Sequence, residues 1–178
     1  KSLRHQFNSL DSWQNCRSGH FGKRWTELHG EVRSIFTELF RINAPSKRKI
    51  EKRIIGLKLP ENYASVQVRR GDKNQQFEKY GQLTDTKLVT DVARELDCLR
   101  QKSVFVMTDD FSIVEAFRRH TALDVHTLCE PGNTGNQVKL RNSTGHLPGL
   151  LTELTIATKA DIHLQTVSSN VSKLVRLL

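Results

Sequence analysis

Two apolar runs with an amphipathic stretch between them limit what this chain can become. Tyr63-Ala64-Ser65-Val66-Gln67-Val68 places apolar groups at alternate positions, the period of a strand. Ser103-Val104-Phe105-Val106-Met107-Thr108 is continuously apolar, as in a parallel strand covered on both faces. Between them, Leu88, Val89, Val92, Leu96 and Leu99 form a helical stripe over about residues 85–100. The first run ends on Arg69-Arg70-Gly71-Asp72-Lys73-Asn74. In open α/β sheets ligands sit beyond the carboxyl ends of strands, and arginine there presents a fixed fork of donors that matches phosphate. Gly71 permits a sharp turn after the strand. The plainer alternative is a strand end carrying a solvated charge cluster. An adhesion tripeptide, Arg70-Gly71-Asp72, would need an exposed loop tip, whereas this one leaves a core strand directly.

The remaining elements extend the same alternation. Residues 1–24 are polar, with Phe7, Leu10, Trp13 and Phe21 irregularly spaced, and read as short helix and loop. From Trp25, apolar residues at Leu28, Val32, Ile35, Phe36, Leu39 and Phe40 keep helical spacing until Asn43-Ala44-Pro45. Ser46 can cap a second helix through Ile50, Ile54 and Ile55 to a terminal Gly56. After the second strand, Asp110 can cap a helix carrying Ile113, Val114 and Phe117. Leu123–Leu128 is a weaker strand, and a Gly/Asn-rich loop runs from Pro131 to Pro148. Gly149–Thr158 reads as helix, Ala160–Thr166 as a fourth strand, and Ser168-Ser169-Asn170 opens a last helix with Val171, Leu174 and Val175 inward. The expectation is an α/β, doubly wound, Rossmann-like parallel sheet flanked by helices.

At 178 residues the chain fits one domain with a partial second. No stretch approaches the roughly 18 apolar residues of a membrane span. No signal peptide is evident, and a start at Lys1 suggests a piece of a longer product. The net charge of +9 lies entirely in residues 1–82, which hold 17 Lys/Arg against 8 Asp/Glu. It concentrates in Lys47-Arg48-Lys49-Ile50-Glu51-Lys52-Arg53, a patch that suits nucleic acid, anionic glycans or a phosphorylated donor, or else is a solvated helix face. Cys16, Cys98 and Cys129 have no metal-ligand spacing, so no zinc site is expected. Two sequons occur, at Asn142 and Asn170, and the first lies in a polar loop that can be glycosylated if the chain is secretory.

Three strand ends can therefore converge: Arg69/Arg70/Asp72/Lys73, Thr108/Asp109/Asp110 and Thr166/Ser168/Ser169. Serines at a helix start add hydroxyls, free backbone N–H groups and the positive end of a dipole. The chain carries neither GxGxxG nor GxxxxGK[ST]. Arginine plus a serine-rich helix start suits a nucleotide-sugar donor, whose diphosphate must be stabilised as it leaves.

These three stretches, in this order and at this spacing, resemble the short motifs of GDP-fucose-dependent fucosyltransferases, most of all the α-1,6 type. Gln67-Val68-Arg69-Arg70-Gly71-Asp72-Lys73 is similar to the first, Val104–Asp110 to the second, and Ala160–Ser169 to the third. The likeness covers about residues 30–178. It implies the C-terminal, donor-binding half of a GT-B-type glycosyltransferase, with residues 1–56 a helical remnant of the acceptor-side domain and 57–178 the nucleotide-sugar domain. It also implies inverting transfer of L-fucose from GDP-fucose to a glycan hydroxyl, without metal or cofactor. Arg69 would hold the β-phosphate with Arg70 in support, Asp72 would fix the loop, and Lys73 belongs to the same catalytic motif. Ser168 and Ser169 would bind phosphate, Asp109 and Asp110 would shape the pocket, and Glu153 stands where the family has an aspartate that reads the guanine edge.

Two departures stand out. Gln67 replaces the motif histidine, although its amide can still contact the donor, and Phe77 occupies the place of a glutamate, leaving Glu78 as candidate base. Each site residue also has a plainer reading. Asp110 and Ser168 can be helix caps, Glu153 can lie on a solvated helix face, and His163 reads as a satisfied core histidine. The rival functions are a non-catalytic GDP- or glycan-binding module and a basic nucleic-acid-binding domain. The second lacks interleaved aromatics, so no nucleic-acid partner is expected. For a eukaryotic member the resemblance implies a Golgi or secretory-lumen location, with any membrane tie made by an anchor outside this chain.

Overall fold

The computed structural model describes residues 6–7, 34–35, 38, 41–70, 85–135, 146–166, 171 and 174–175. Its elements in chain order are β1 (Gln6–Phe7), α1 (Ala44–Gly56), β2 (Ala64–Val68), α2 (Asp85–Cys98), β3 (Ser103–Thr108), α3 (Phe111–His120), β4 (Asp124–His126), α4 (His146–Lys159) and β5 (Ile162–Thr166). The five strands form one parallel sheet in the order β1-β5-β2-β3-β4. The Rossmann-like α/β expectation holds.

The sheet is covered on both faces. On one, α2 and α3 bring Val89, Val92, Leu96, Ile113, Val114 and Phe117 against Val66, Val104, Val106 and Leu164. On the other, Ile54 of α1 and Ile156 of α4 pack with Tyr63, Phe105 and Met107. Double coverage explains why all five residues of β2 are buried, although their alternation alone describes a half-exposed strand. The polar positions are accommodated by pairing. Ser65 Oγ and His163 Nδ1, on adjacent strands, lie 2.6 Å apart, so His163 is a core histidine. Tyr63 donates its hydroxyl to Ile156 O at 2.8 Å. Burial, with some repulsion from Asp161, pushes that phenol up to about 12.

Local chemistry sets the ends of the elements. Asn43, rather than Ser46, caps α1: its Oδ1 accepts from Ser46 N at 2.9 Å, and Pro45 sits in the first turn, where a missing N–H costs nothing. Gly56 stays helical, and the left-handed residue that follows is Lys58, with φ of 49°. Asp110 caps α3 as expected, accepting from Ser112 N at 3.0 Å. His146–Lys159 starts earlier than the expected Gly149, because Pro148 is tolerated in a first helical turn. The expected helix-and-loop reading of residues 1–24 meets one correction. Gln6 and Phe7 form an edge strand beside Gln165 and Thr166, a pairing that two residues of local sequence cannot announce.

No helix among the described residues is long and apolar enough to cross a membrane. Phe117 is fully buried and Ile55 is 76% exposed, which separates their weights in the fold. Phe117→Ala is expected to cost about 3–5 kcal/mol and Ile55→Ala less than about 0.5 kcal/mol, read from denaturant midpoints at constant m.

Candidate functional site

Register places the site. Val68 pairs with Thr108 in β2 and β3, and Gln67 pairs with Gln165 of β5 on the other side. The carboxyl ends of β2 and β3 are therefore level, bringing Arg69 and Arg70 beside Asp109 and Asp110. The chain steps outward from β2 to β3 and β4, then returns to lay β5 on the opposite side of β2. That reversal is the position at which open α/β sheets form a crevice.

Asp109 is the centre of this corner. Its side chain is 6% exposed, its Oδ1 accepts from Arg70 N at 2.8 Å, and its Oδ2 lies 4.0 Å from Arg69 Nε. One carboxylate thus fixes the backbone that leaves β2 and attracts the guanidinium before it. Asp109 O accepts from Gly135 N at 2.8 Å, and Phe111 N donates to Asn133 O at 2.8 Å. The 129–135 segment is therefore laced to the β3–α3 junction, and Gly132 and Gly135, with φ of 91° and 76°, make its turns.

The two arginines differ. Arg69 is 28% exposed in its side chain and Arg70 15%. Arg70 donates to Asp85 at the start of α2. Burial lowers the pKa of its guanidinium, and the Asp110 carboxylate opposes that effect. An arginine held in this way is unsuited to an adhesion tripeptide, which needs an exposed side chain. It braces the strand end, while Arg69 is the more open of the two. Gln67 is 5% exposed within the sheet.

Glu153 on α4 approaches from the other face of the sheet. It is half-buried, and loss of hydration together with repulsion from Asp109 pushes its carboxyl up to about 7. It is therefore no solvated surface acid. Cys129 joins the same neighbourhood, with Asn133 Nδ2 donating to its Sγ at 3.7 Å. Burial raises that thiol, Asn133 offsets part of the rise, and the carboxylates of Glu153, Asp110 and Asp109 add to it. It is a free, buried thiol.

The structure thus brings together Gln67, Arg69, Arg70, Asp109, Asp110 and Glu153. Asp72, Lys73, Glu78, Ser168 and Ser169 lie outside the described residues. Asp110 is both the α3 cap and part of the corner, so its two readings are compatible. Asp85, Cys129, Asn133 and Gly135 were not anticipated. Asp85 carried a weak signal as an acid in a first helical turn, but nothing local tied it to Arg70. No group of three or more His, Cys, Asp or Glu among the described residues is arranged to hold a metal.

No family model matches the sequence, and no curated protein does. Among solved structures, the chain is similar to a crystal structure of POFUT1 in complex with GDP-fucose, with a TM-score of 0.51 and 15% identity over 77% of this chain and 43% of that one. It is similar also to POFUT1 in complex with GDP, with a TM-score of 0.50 and 18% identity over 83% of this chain and 47% of that one. At such identity the likeness is one of fold, the Rossmann-like parallel sheet. The chain spans less than half the length of these structures.

The Glu153 carboxyl gives a signed expectation. Its folded value of about 7 lies above the ordinary 4.5, so between those values the folded state holds more protons than the unfolded one. Stability contributed below pH 4.5 is then lost as pH rises to 7, by an amount on the order of 3 kcal/mol. Glu153→Gln should flatten that fall and be the more stable protein at pH 8, as measured by urea midpoints across pH 5–8.

Proposed function

We propose that this chain is the donor-binding part of a glycosyltransferase that moves L-fucose from GDP-fucose to a glycan hydroxyl, in the manner of the α-1,6 type. The observation that carries the reading is the corner at the reversal of the sheet, where Arg69 stands at the carboxyl end of β2 with Asp109 and Glu153 around it. The fold, shared with structures that contain GDP-fucose and GDP, supports it. On this reading Arg69 draws charge from the β-phosphate as the glycosidic bond breaks, which lowers the barrier most where charge accumulates on the leaving group. Arg70, held by Asp85 and by its backbone bond to Asp109, positions that strand end. Glu153 accepts from guanine N1–H and the exocyclic amine, a pairing open to its ionised form and barred to uracil, which has no matching pair of donors. Transfer proceeds with inversion and without metal, the acceptor hydroxyl losing its proton to a carboxylate, for which Glu78 is the candidate. Ser168 and Ser169 complete the phosphate contacts, Asp72 fixes the loop after β2, and Lys73 belongs to the same catalytic motif. Residues 1–56 are proposed to lead in from the acceptor-side domain, and the secretory lumen, in eukaryotes the Golgi, is the proposed location.

The buried Gln67 in the place of the motif histidine favours a second reading, in which the same pocket binds GDP without turnover.

Calorimetric titration with GDP, UDP and ADP tests the donor site. GDP is expected to bind in preference to the other two, Arg69→Ala to weaken it by about 1.5–3 kcal/mol, and affinity to rise between pH 6 and 8 as Glu153 ionises. Equal binding of all three nucleotides, or indifference to Arg69→Ala, would sink the proposal. GDP binding without transfer by a chain that includes the acceptor-side domain would favour the second reading.

A further inference from the structure

The basic helix α1 plays no part in the donor corner, and its charge is arranged against its own stability. Lys47, Arg48, Lys49, Lys52 and Arg53 are all exposed, with Glu51 the only acid in the helix. None of the five makes an ion pair with another described residue. Three of them fall in the first half of the helix, whose first turn holds no acid, so they add to the positive end of the dipole where helices prefer anions. Arg48 and Lys52, and likewise Lys49 and Arg53, are like charges four residues apart, an unfavourable spacing. Solubility alone would be served by the same charges placed anywhere.

The opposite side of α1 is anchored. Ile50 is 3% exposed, and Ile54 packs with Ile156 of α4 and Tyr63. The cations therefore sit on a fixed support and meet a ligand without the entropy of ordering a mobile segment. Helical spacing sets Arg48 and Lys52 about 6 Å apart along the axis, with Lys49 and Arg53 in a parallel row. We propose that this face is a docking strip for a linear anionic polysaccharide bearing sulfate or carboxylate groups. Charge complementarity asks for a polyanion, and the outward face narrows the kind. It carries no aromatic side chain on which successive bases could stack. Its single exposed large apolar residue, Ile55, is too little to seat the helix in a bilayer. The strip lies outside the donor corner and stands whether or not GDP binds there.

The test is calorimetric titration of the whole chain with a heparin-derived oligosaccharide at several salt concentrations, with duplex DNA and phosphatidylserine vesicles at matched ionic strength. The variant Arg48→Gln/Lys49→Gln/Lys52→Gln keeps good helix formers in place. It is expected to bind the oligosaccharide at least tenfold more weakly, with a salt slope shallower by on the order of one unit per cation removed. A charge-matched control, Lys102→Gln/Arg119→Gln/Lys159→Gln, removes exposed cations elsewhere and is expected to change binding less than twofold. Arg69→Ala is expected to leave oligosaccharide binding intact. Equal weakening by the two triple variants would reduce the effect to net charge and overturn the proposal. Tighter binding of DNA or of vesicles than of the oligosaccharide would overturn it equally.

Discussion

The Asp109 carboxylate is the interaction on which this corner depends. It sits where β3 ends, nearly excluded from water, and accepts from the Arg70 backbone at 2.8 Å while Arg69 Nε stands 4.0 Å away. A carboxylate so buried is costly to ionise without partners. Arg69 and Arg70 supply them, and in return the exit path of β2 is fixed. The level ends of β2 and β3 make this possible, and they follow from the pairing of Val68 with Thr108. The corner is thus a consequence of strand register before it is a consequence of any motif.

Register in turn rests on coverage. A parallel sheet buried on both faces has no wet side on which to place polar residues, so Ser65, Gln67 and His163 must find partners within it. The bond between Ser65 and His163 crosses from β2 to β5 and ties together the two strands that flank the reversal of the sheet. A slip of one residue in either strand would break this pairing and exchange the two apolar faces. The buried polar residues therefore help to specify the arrangement.

Much of this was legible in the sequence. The alternation of strands and amphipathic helices gave the Rossmann-like sheet, and the charged residues after Val68 and Thr108 marked the two ends that meet. The Asp110 cap and the core role of His163 were also readable, one from local chemistry and the other from the apolar run around it. What escaped reading depends on distant partners. Asp85 meets Arg70 across a fifteen-residue separation. Cys129 gains its meaning only when the 129–135 segment folds back to Asp109. The edge strand Gln6–Phe7 is too short to carry a period. Local signals report caps and stripes, whereas these contacts are settled by which loops return to the same corner.

The charges of the corner raise a last constraint. Arg69 and Arg70 face Asp109, Asp110 and, through Arg70, Asp85, so the arginines are largely offset by carboxylates before any anion arrives. A fourth ionised carboxylate beside Asp109 would leave the corner with a surplus of negative charge. The protein meets this by raising Glu153 to about 7, so that near neutrality it is ionised only in part. Any group that donates hydrogen bonds to Glu153 would favour its ionised form. That partial ionisation follows from the burial of Glu153 and its placement against Asp109.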